Sequence, residues 1–133
     1  MTVDVPAAGG QRLPKVLEAY IGGYFGTSYA VELTDGEIVY RRSRHREGAE
    51  EEPIVVSPTP EAWEAFLSEC DRLRVWRWRP EYPNPGVCDG TGWSLSLEAG
   101  DRSVSSSGDN AFPRGFVAFR RALRRLLGGL DFE

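Results

Sequence analysis

The feature that most constrains the fold is a run of alternating apolar and polar residues interrupted by Asp-Gly. It reads SYAVELTDGEIVY over residues 28–40. Asp35 and Gly36 are residue types that supply positive φ at both central positions of a two-residue turn. Counting outward from this turn pairs Thr34 with Glu37 and puts the large apolar side chains on one face. The apolar pairs are Leu33 with Ile38 and Val31 with Tyr40. The run therefore predicts a β-hairpin with one buried face.

A second alternating stretch, GWSLSLEAGDRSV at residues 92–104, predicts another hairpin. Its apolar positions alternate with serines and are Trp93, Leu95 and Leu97. Ala99-Gly100 is the expected turn. Ahead of the first hairpin, the apolar residues of 15–26 fit a strand and a short helix about equally poorly, and we favour a strand.

Two further segments have the apolar spacing of amphipathic helices. In the first, Thr59 is a candidate N-cap and Pro60 a candidate first residue, and the helix should end near Leu73. The second should open at Pro113 and stop at Gly128-Gly129. Their apolar sides are Trp63, Phe66, Cys70 and Leu73 in the first helix, and Phe116, Phe119, Leu123, Leu126 and Leu127 in the second. The sequence thus predicts an α+β domain, in which two helices cover one face of a largely antiparallel, meandering sheet.

The remaining segments complete the domain organisation. Residues 1–12 are expected to be a flexible N-terminal segment, and 13–133 to be a single domain. Within it, 41–53 carries almost only charged and small residues and is expected to be a flexible loop. A short strand is expected within the following stretch IVVSPTP, residues 54–60. Both halves of the chain follow the order hairpin, then helix. The agreement reflects either an internal duplication or the patterning that this order imposes by itself.

Composition limits the classes of function. The 133 residues, 41% of them hydrophobic, suit one globular domain. The start of the chain lacks the pattern of a signal or transit peptide, and no apolar run is long enough to cross a membrane, so we expect a cytoplasmic protein of bacterial type. Cys70 and Cys88 are then expected to be thiols. The net charge of -4 gives no overall attraction to nucleic acid or anionic lipid.

The sequence offers no assembled catalytic set. The single histidine, His45, lies in the charged loop and has no serine or cysteine partner fixed beside it. Three cysteine and histidine residues in total are too few for a structural zinc site, and no calcium-loop spacing occurs. The CDGTG stretch lacks the lysine of a phosphate-binding loop. We therefore expect no metal and no cofactor, and favour a non-enzymatic function.

The stretch VWRWRPEYPNPGVCDGTGW, residues 75–93, is the candidate binding region. Read as a strand, its first part places Trp76 and Trp78 on one side. The other side then carries Val75, Arg77 and Arg79. If the aromatic side faces the helices, the tryptophans fill the core; if it faces outward, they form a patch suited to protein or ligand contact. The candidate binding residues are Trp76, Arg77, Trp78, Tyr82, Asp89, Trp93 and Asn110.

Several of these residues belong to a pattern, W-x3-Y, then DG-x2-W, then SG-x-N-x2-P. It is carried by Trp78, Tyr82, Asp89-Gly90, Trp93, Ser107-Gly108, Asn110 and Pro113. The pattern resembles that of a family of small uncharacterised bacterial proteins, over about residues 29–127 without the charged loop. Phe112 stands where that pattern has tyrosine. The resemblance implies a compact α+β domain and no particular activity, substrate or cofactor.

Two hypotheses for the function follow. The first is a non-enzymatic protein-binding module, such as an adaptor or an immunity-like inhibitor, because a dense aromatic and arginine stretch stands beside no catalytic set. The second is a small-ligand-binding protein or enzyme with a pocket under the 79–92 loop, lined by Trp78, Tyr82, Asp89, Trp93 and Asn110. Nucleic-acid binding through the arginines of the last helix ranks third, since such arginines more commonly solvate a helix face and interact with the helix dipole.

Overall fold

A computed structural model of the protein describes residues 13–23, 26–44, 49–84 and 90–132. These residues form eight strands and two α-helices: β1 (Val16–Gly23), β2 (Thr27–Thr34), β3 (Glu37–Arg44), β4 (Ala49–Glu50), β5 (Ile54–Val56), α1 (Pro60–Leu73), β6 (Glu81–Tyr82), β7 (Thr91–Ala99), β8 (Arg102–Asp109) and α2 (Phe116–Leu126). A short 3₁₀ helix, Val75–Arg77, follows α1. The predicted α+β class is confirmed.

The strands form one mixed sheet in the order β4-β3-β2-β1-β7-β8-β6, and β5 also pairs with β3. Neighbouring strands are antiparallel except β6 and β8, which are parallel. The strand favoured for residues 15–26 is present as β1, and it occupies the centre of the sheet. It pairs with β2 on one side and with β7 on the other, so it joins the two predicted hairpins.

The first hairpin has the predicted register. Thr34 pairs with Glu37, and the turn residues Asp35 and Gly36 have φ values of 53° and 83°. In the second hairpin Ala99 pairs with Arg102, so the turn is Gly100-Asp101 and the predicted Ala99-Gly100 turn is wrong by one residue. Gly100 has a φ of 63°, as a turn with glycine at its first central position requires.

One face of the sheet is buried under both helices. Alternate residues of the central strands point into this core, among them Leu17, Val31, Ile38, Leu95 and Leu97, which are at most 2% exposed. The residues between them, such as Glu18, Glu32 and Ser94, are exposed on the other face. The two helices contact each other through Phe66 of α1 and Phe119 of α2, whose ring centroids lie 5.9 Å apart. The prediction of two helices on one face is confirmed.

The helix ends show which local signals decide a boundary. The Thr59 hydroxyl accepts a hydrogen bond of 3.0 Å from the Ala62 amide, and α1 runs to Leu73 as predicted. The second helix begins at Phe116 and not at Pro113, because Gly115, with a φ of 88°, interrupts helical backbone after the proline. Residues 113–116 form a separate turn instead, closed by the Phe116 amide donating to the Pro113 carbonyl at 3.2 Å.

The charged segment expected to be a loop at 41–53 is strand in much of its described part. β3 continues to Arg44, and β4 returns beside it. Glu51 fixes this arrangement, because its carboxylate accepts hydrogen bonds from Arg42 at 2.7 Å and from Arg44 at 2.9 Å. The lack of large apolar residues in this segment favoured solvation, whereas charge pairing across strands lets the same residues lie in a sheet. His45 lies outside the described residues.

The pairing of Glu51 predicts a pH dependence of stability. Hydrogen bonds from Arg42 and Arg44 lower the pKa of the Glu51 carboxyl. A carboxyl whose pKa is lower in the folded than in the unfolded state stabilises the fold above the unfolded pKa, and this contribution is lost as the pH falls. We expect Glu51→Gln to lose less unfolding free energy than the wild type between about pH 5 and pH 3. Urea unfolding at about pH 5 and at about pH 3 measures the loss of unfolding free energy in each protein, with Glu98→Gln on β7 as the control variant. Equal losses in wild type and Glu51→Gln would contradict the prediction.

The residues after α2 return to the core. The Tyr40 hydroxyl donates a hydrogen bond of 2.7 Å to the Asp131 carbonyl, and burial raises the pKa of this phenol. Phe132 is 2% exposed and packs against Tyr29, with ring centroids 6.1 Å apart. Arg124 of α2 forms an ion pair with Asp131 at 3.0 Å. This segment therefore links the end of α2 to β2 and β3.

Candidate functional site

The two tryptophans predicted to share one side of a strand lie in different environments. Residues 75–77 form a 3₁₀ helix and not a strand, because Arg74 takes a left-handed conformation with a φ of 58° at the end of α1. In 3₁₀ geometry residues three apart face the same way. Val75 and Trp78 are accordingly buried, with 0% and 9% exposure. The predicted arrangement of this stretch is therefore wrong.

Trp76 and Arg77 lie at the surface end of the same turn. The indole nitrogen of Trp76 donates a hydrogen bond of 2.8 Å to the Asp71 carboxylate, so this side chain is half-buried and held against α1. Asp71 also lies 3.7 Å from the guanidinium of Arg102 on β8. Arg77 is exposed. Trp76 thus has a local structural partner, and these residues do not form the aromatic patch that an outward-facing strand would give.

Trp78 and Trp93 are the centre of an aromatic cluster inside the molecule. Their rings meet edge to face with centroids 5.9 Å apart, and Trp78 also lies 5.4 Å from Phe119. Trp93 is 3% exposed and lies 4.8 Å from Phe116. Tyr82, which is half-buried, packs on Trp93 with ring centroids 5.9 Å apart. Three of the side chains predicted to line a pocket, Trp78, Tyr82 and Trp93, therefore pack on one another. Trp63, Trp78 and Trp93, three of the chain's four tryptophans, are buried in the core.

The motif residues that follow form the corner at which β8 leaves the sheet. Gly108 pairs with Trp93 across the strands, and the Trp93 indole donates a hydrogen bond of 2.8 Å to the Ala111 carbonyl. Asn110 has a φ of 53°, and its backbone amide donates a hydrogen bond of 2.6 Å to the Thr91 carbonyl. A short polar side chain tolerates this left-handed conformation. The described part of the motif therefore has a structural explanation, while Asp89 and Cys88 lie outside the described residues.

Tyr82 has a similar local role at the sheet edge. Its hydroxyl accepts a hydrogen bond of 2.9 Å from the Arg79 amide, and the Arg79 guanidinium lies 4.9 Å from its ring centroid. The Ser106 hydroxyl donates to the Arg79 carbonyl at 2.5 Å, which fixes the same segment to β8. The open side of Tyr82 faces a groove of about 330 Å³ that Tyr20 and Asp109 also line. Residues 79–82 are thus attached to the sheet at several points.

A larger apolar cleft lies beside the aromatic cluster, between the start of α2 and the ends of β1 and β7. We call it the α2 cleft; its volume is about 410 Å³, and its main lining residues are Ile21, Thr91, Phe112, Phe116, Val117 and Arg120. Phe112 and Val117 are 42% and 52% exposed, a large exposure for apolar side chains at a concave site. Phe112 is held in place by Phe116, with ring centroids 5.0 Å apart. The cleft is therefore built on a packed wall.

Two arginines of α2, one helical turn apart, lie along this end of the molecule. Arg120 is half-buried and lines the α2 cleft, with its guanidinium carbon 5.7 Å from the centroid of Phe116. Arg124 lines an adjoining cavity of about 540 Å³, which shares Ile21 and Thr91 with the α2 cleft. The two cavities are therefore neighbours, and Arg120 is the charged side chain of the apolar one.

Sequence reasoning missed this site for identifiable reasons. Phe112 was noted for its departure from a motif, and Val117 lies off the apolar stripe of α2 among exposed residues. An apolar residue on the arginine-rich side of a helix is the signal that could have drawn attention to the cleft. The concave shape itself depends on how α2 meets β1, which no local pattern encodes.

The other observations leave this cleft as the strongest candidate. Within the described ranges, no three histidine, cysteine, aspartate or glutamate side chains are grouped to hold a metal ion. Neither α1 nor α2 has the length and apolar character that crossing a bilayer requires. Comparison with protein-family models, curated proteins and solved structures gave no match to the chain. The family resemblance of the motif stays a prediction.

Proposed function

We propose that the protein is a small-ligand-binding protein and that its ligand lies in the α2 cleft. The supporting observation is the cleft itself: an open concavity of about 410 Å³, lined mostly by apolar side chains, with Thr91 and Arg120 as its polar groups. Small-molecule sites are typically clefts of this size, apolar with a few polar groups that orient the ligand. This cleft differs from the pocket predicted under the 79–92 loop, because its lining includes none of the described residues of that pocket, Trp78, Tyr82, Trp93 and Asn110.

The exposed apolar surface of the cleft gives such a ligand a driving force. Phe112 and Val117 present apolar area to water, and covering that area is favourable in proportion to its extent. The wall behind them is preformed, since Phe112 and Phe116 pack on the buried Trp93 with centroid distances of 6.5 and 4.8 Å. A preformed site loses little conformational entropy on binding.

A fluorescence titration with N-phenyl-1-naphthylamine, a neutral apolar probe, tests this proposal. We expect saturable binding to the native protein and a loss of about tenfold or more in affinity in Val117→Glu, because a carboxylate in the wall must be desolvated by an apolar ligand. Val55→Glu is the matched control, since Val55 is 57% exposed and lies on β5. Absence of saturable binding, or equal weakening in the two variants, would overturn the proposal.

A protein-binding module of the adaptor or immunity-like type is the second candidate. It is favoured by the exposed Phe112 and by Arg120 in the same cleft, because aromatic residues and arginines are enriched at the energetically dominant positions of interfaces. Affinity capture with the same variants distinguishes it: a protein retained by wild type and Val55→Glu but lost with Val117→Glu would favour this candidate over a small ligand. A bacterial origin, a cytoplasmic location and a non-enzymatic role remain part of the proposal in either case.

A further inference from the structure

We propose that the ligand of the α2 cleft is an amphipathic anion, with an apolar body against Phe112 and Val117 and an acidic group bound by Arg120. This inference rests on the proposed function and adds the chemical class of the ligand. It excludes neutral and cationic molecules as the preferred occupants.

The position of Arg120 is the first argument for an anionic ligand. Its guanidinium lies against the Phe116 ring, at 5.7 Å from the centroid, and the residue lines the cleft while being only partly exposed. A guanidinium is planar, permanently charged and less strongly hydrated than an ammonium, so it binds carboxylate, sulfonate and phosphate groups well beside apolar surface. An acidic group entering the cleft therefore meets a donor that the aromatic wall already orients.

The distribution of charge along the chain is the second argument for an anionic ligand. The chain has a net charge of -4, yet residues 110–130 contain five arginines and no aspartate or glutamate. These arginines are Arg114, Arg120, Arg121, Arg124 and Arg125. Asp131, which follows this range, is ion-paired with Arg124 at 3.0 Å and lines the adjoining cavity. This segment, which includes Arg120 of the cleft, thus carries positive charge on an otherwise acidic protein, and such charge attracts anions and repels cations.

The cleft also offers one contact for the apolar part of such a ligand and another for its acidic group. The apolar side chains Phe112 and Val117 and the guanidinium of Arg120 belong to the same concavity of about 410 Å³. A molecule of moderate size can therefore contact both at once, and one that carries only charge or only apolar surface uses half of the site. An aliphatic or aromatic acid meets both requirements.

A pair of fluorescent probes tests this inference. 8-Anilinonaphthalene-1-sulfonate has the ring system of N-phenyl-1-naphthylamine with an added sulfonate, so the two differ in the anionic group. We expect Arg120→Gln to weaken the sulfonate probe about tenfold, as for loss of one charge-assisted hydrogen bond. The neutral probe should change less than about twofold. Arg125→Gln removes the same charge from an exposed position of α2 and should leave both affinities nearly unchanged.

The outcomes separate the inference from the proposed function. If Arg120→Gln and Arg125→Gln weakened binding of the sulfonate probe equally, or if neither weakened it, the inference that the ligand is an anion would be overturned. The proposed function would still stand as long as the neutral probe bound the native protein. Failure of the neutral probe to bind the native protein at all would overturn the proposed function as well. Near-ultraviolet circular dichroism and thermal unfolding of each variant verify that the probes report on folded protein.

A competition experiment extends the test to an unrelated acid. We expect octanoate to displace the sulfonate probe and 1-octanol, which has a similar apolar chain without the charge, not to displace it. Equal displacement by both compounds would overturn the inference.

Discussion

Replacing Trp78 with alanine is expected to lower the free energy of unfolding by about 3–5 kcal/mol, the range for a large buried aromatic side chain. Trp78 is 9% exposed and its ring contacts those of Trp93, Phe116 and Phe119 at centroid distances of 5.9, 6.0 and 5.4 Å. The alanine variant leaves a cavity where strands and α2 meet, and these neighbours cannot all move into it. The measurement is urea unfolding followed by circular dichroism.

Trp76 is the matched control for this prediction, because it is the same residue type two positions away. Its loss removes one hydrogen bond to Asp71 and part of a half-buried contact, so Trp76→Ala should cost about 1 kcal/mol. A cost for Trp76→Ala as large as that for Trp78→Ala would show that the two side chains share one environment, as a strand would require. The pair of variants thus tests the 3₁₀ helix directly.

Gly108→Ala is expected to destabilise the protein by about 2–3 kcal/mol, since it overpacks a tight contact and disturbs a buried hydrogen bond. A Cβ at position 108 would lie 2.4 Å from the Ala111 carbonyl oxygen and 2.5 Å from the Trp93 indole nitrogen. These are the two atoms that form the hydrogen bond at the corner of β8. Either the backbone or the buried indole must move.

Gly92→Ala is the control, because Gly92 lies in the adjacent strand next to Trp93 and has room for a methyl group. The nearest atom to its Cβ would be an Asp109 carboxylate oxygen at 3.7 Å, an ordinary contact. We expect no loss of stability there, or a small gain, since glycine inside a strand is unfavourable relative to alanine. Combining Gly108→Ala with Trp93→Leu tests the cause, because the glycine substitution should cost less once the indole is absent. Additive effects of the two changes would contradict this explanation.

Local signals predicted the parts of the fold that local interactions decide. The Asp35-Gly36 turn fixes its own register through positive φ, and Thr59 caps α1 whatever the rest of the chain does. The segment after α1 was ambiguous because two tryptophans at alternate positions suit a strand. Its conformation depends on the left-handed Arg74 and on the space that Trp78 fills between α2 and the sheet, and neither is visible in a sequence pattern.

The same reasoning explains what was missed at the candidate site. Trp93 alternates in phase with Leu95 and Leu97 in the sequence, and it lies with them in the core. The α2 cleft could not be predicted because it arises from the angle between α2 and the end of β1, which tertiary packing sets. The strands in the described part of the charged segment could not be predicted for a related reason: the partners of Glu51 are seven and nine residues away along the chain and are adjacent to it only in the sheet.

The internal duplication stays a prediction, and the two hairpins differ in ways that bear on it. An alignment of Gly36 on Gly100 matches buried Val31 with buried Leu95. It does not match the turns, because Gly36 is the second central residue of its turn and Gly100 the first of its own. The apolar pair nearest the turn is accordingly the second pair in the first hairpin, Leu33 with Ile38, and the third pair in the second hairpin, Leu97 with Val104.

The central position of β1 has a consequence for how the protein is made. β1 precedes all the other strands in the chain, but its partner β7 comprises residues 91–99 and is synthesised after α1. During translation the β1–β2–β3 meander can form early, while the edge of β1 that β7 will cover stays open. Unpaired strand edges recruit other chains, and pairings between distant segments form slowly. Aggregation on the ribosome should therefore depend on how soon residues 91–99 emerge, and slow translation of the region before them is expected to lower the yield of folded protein.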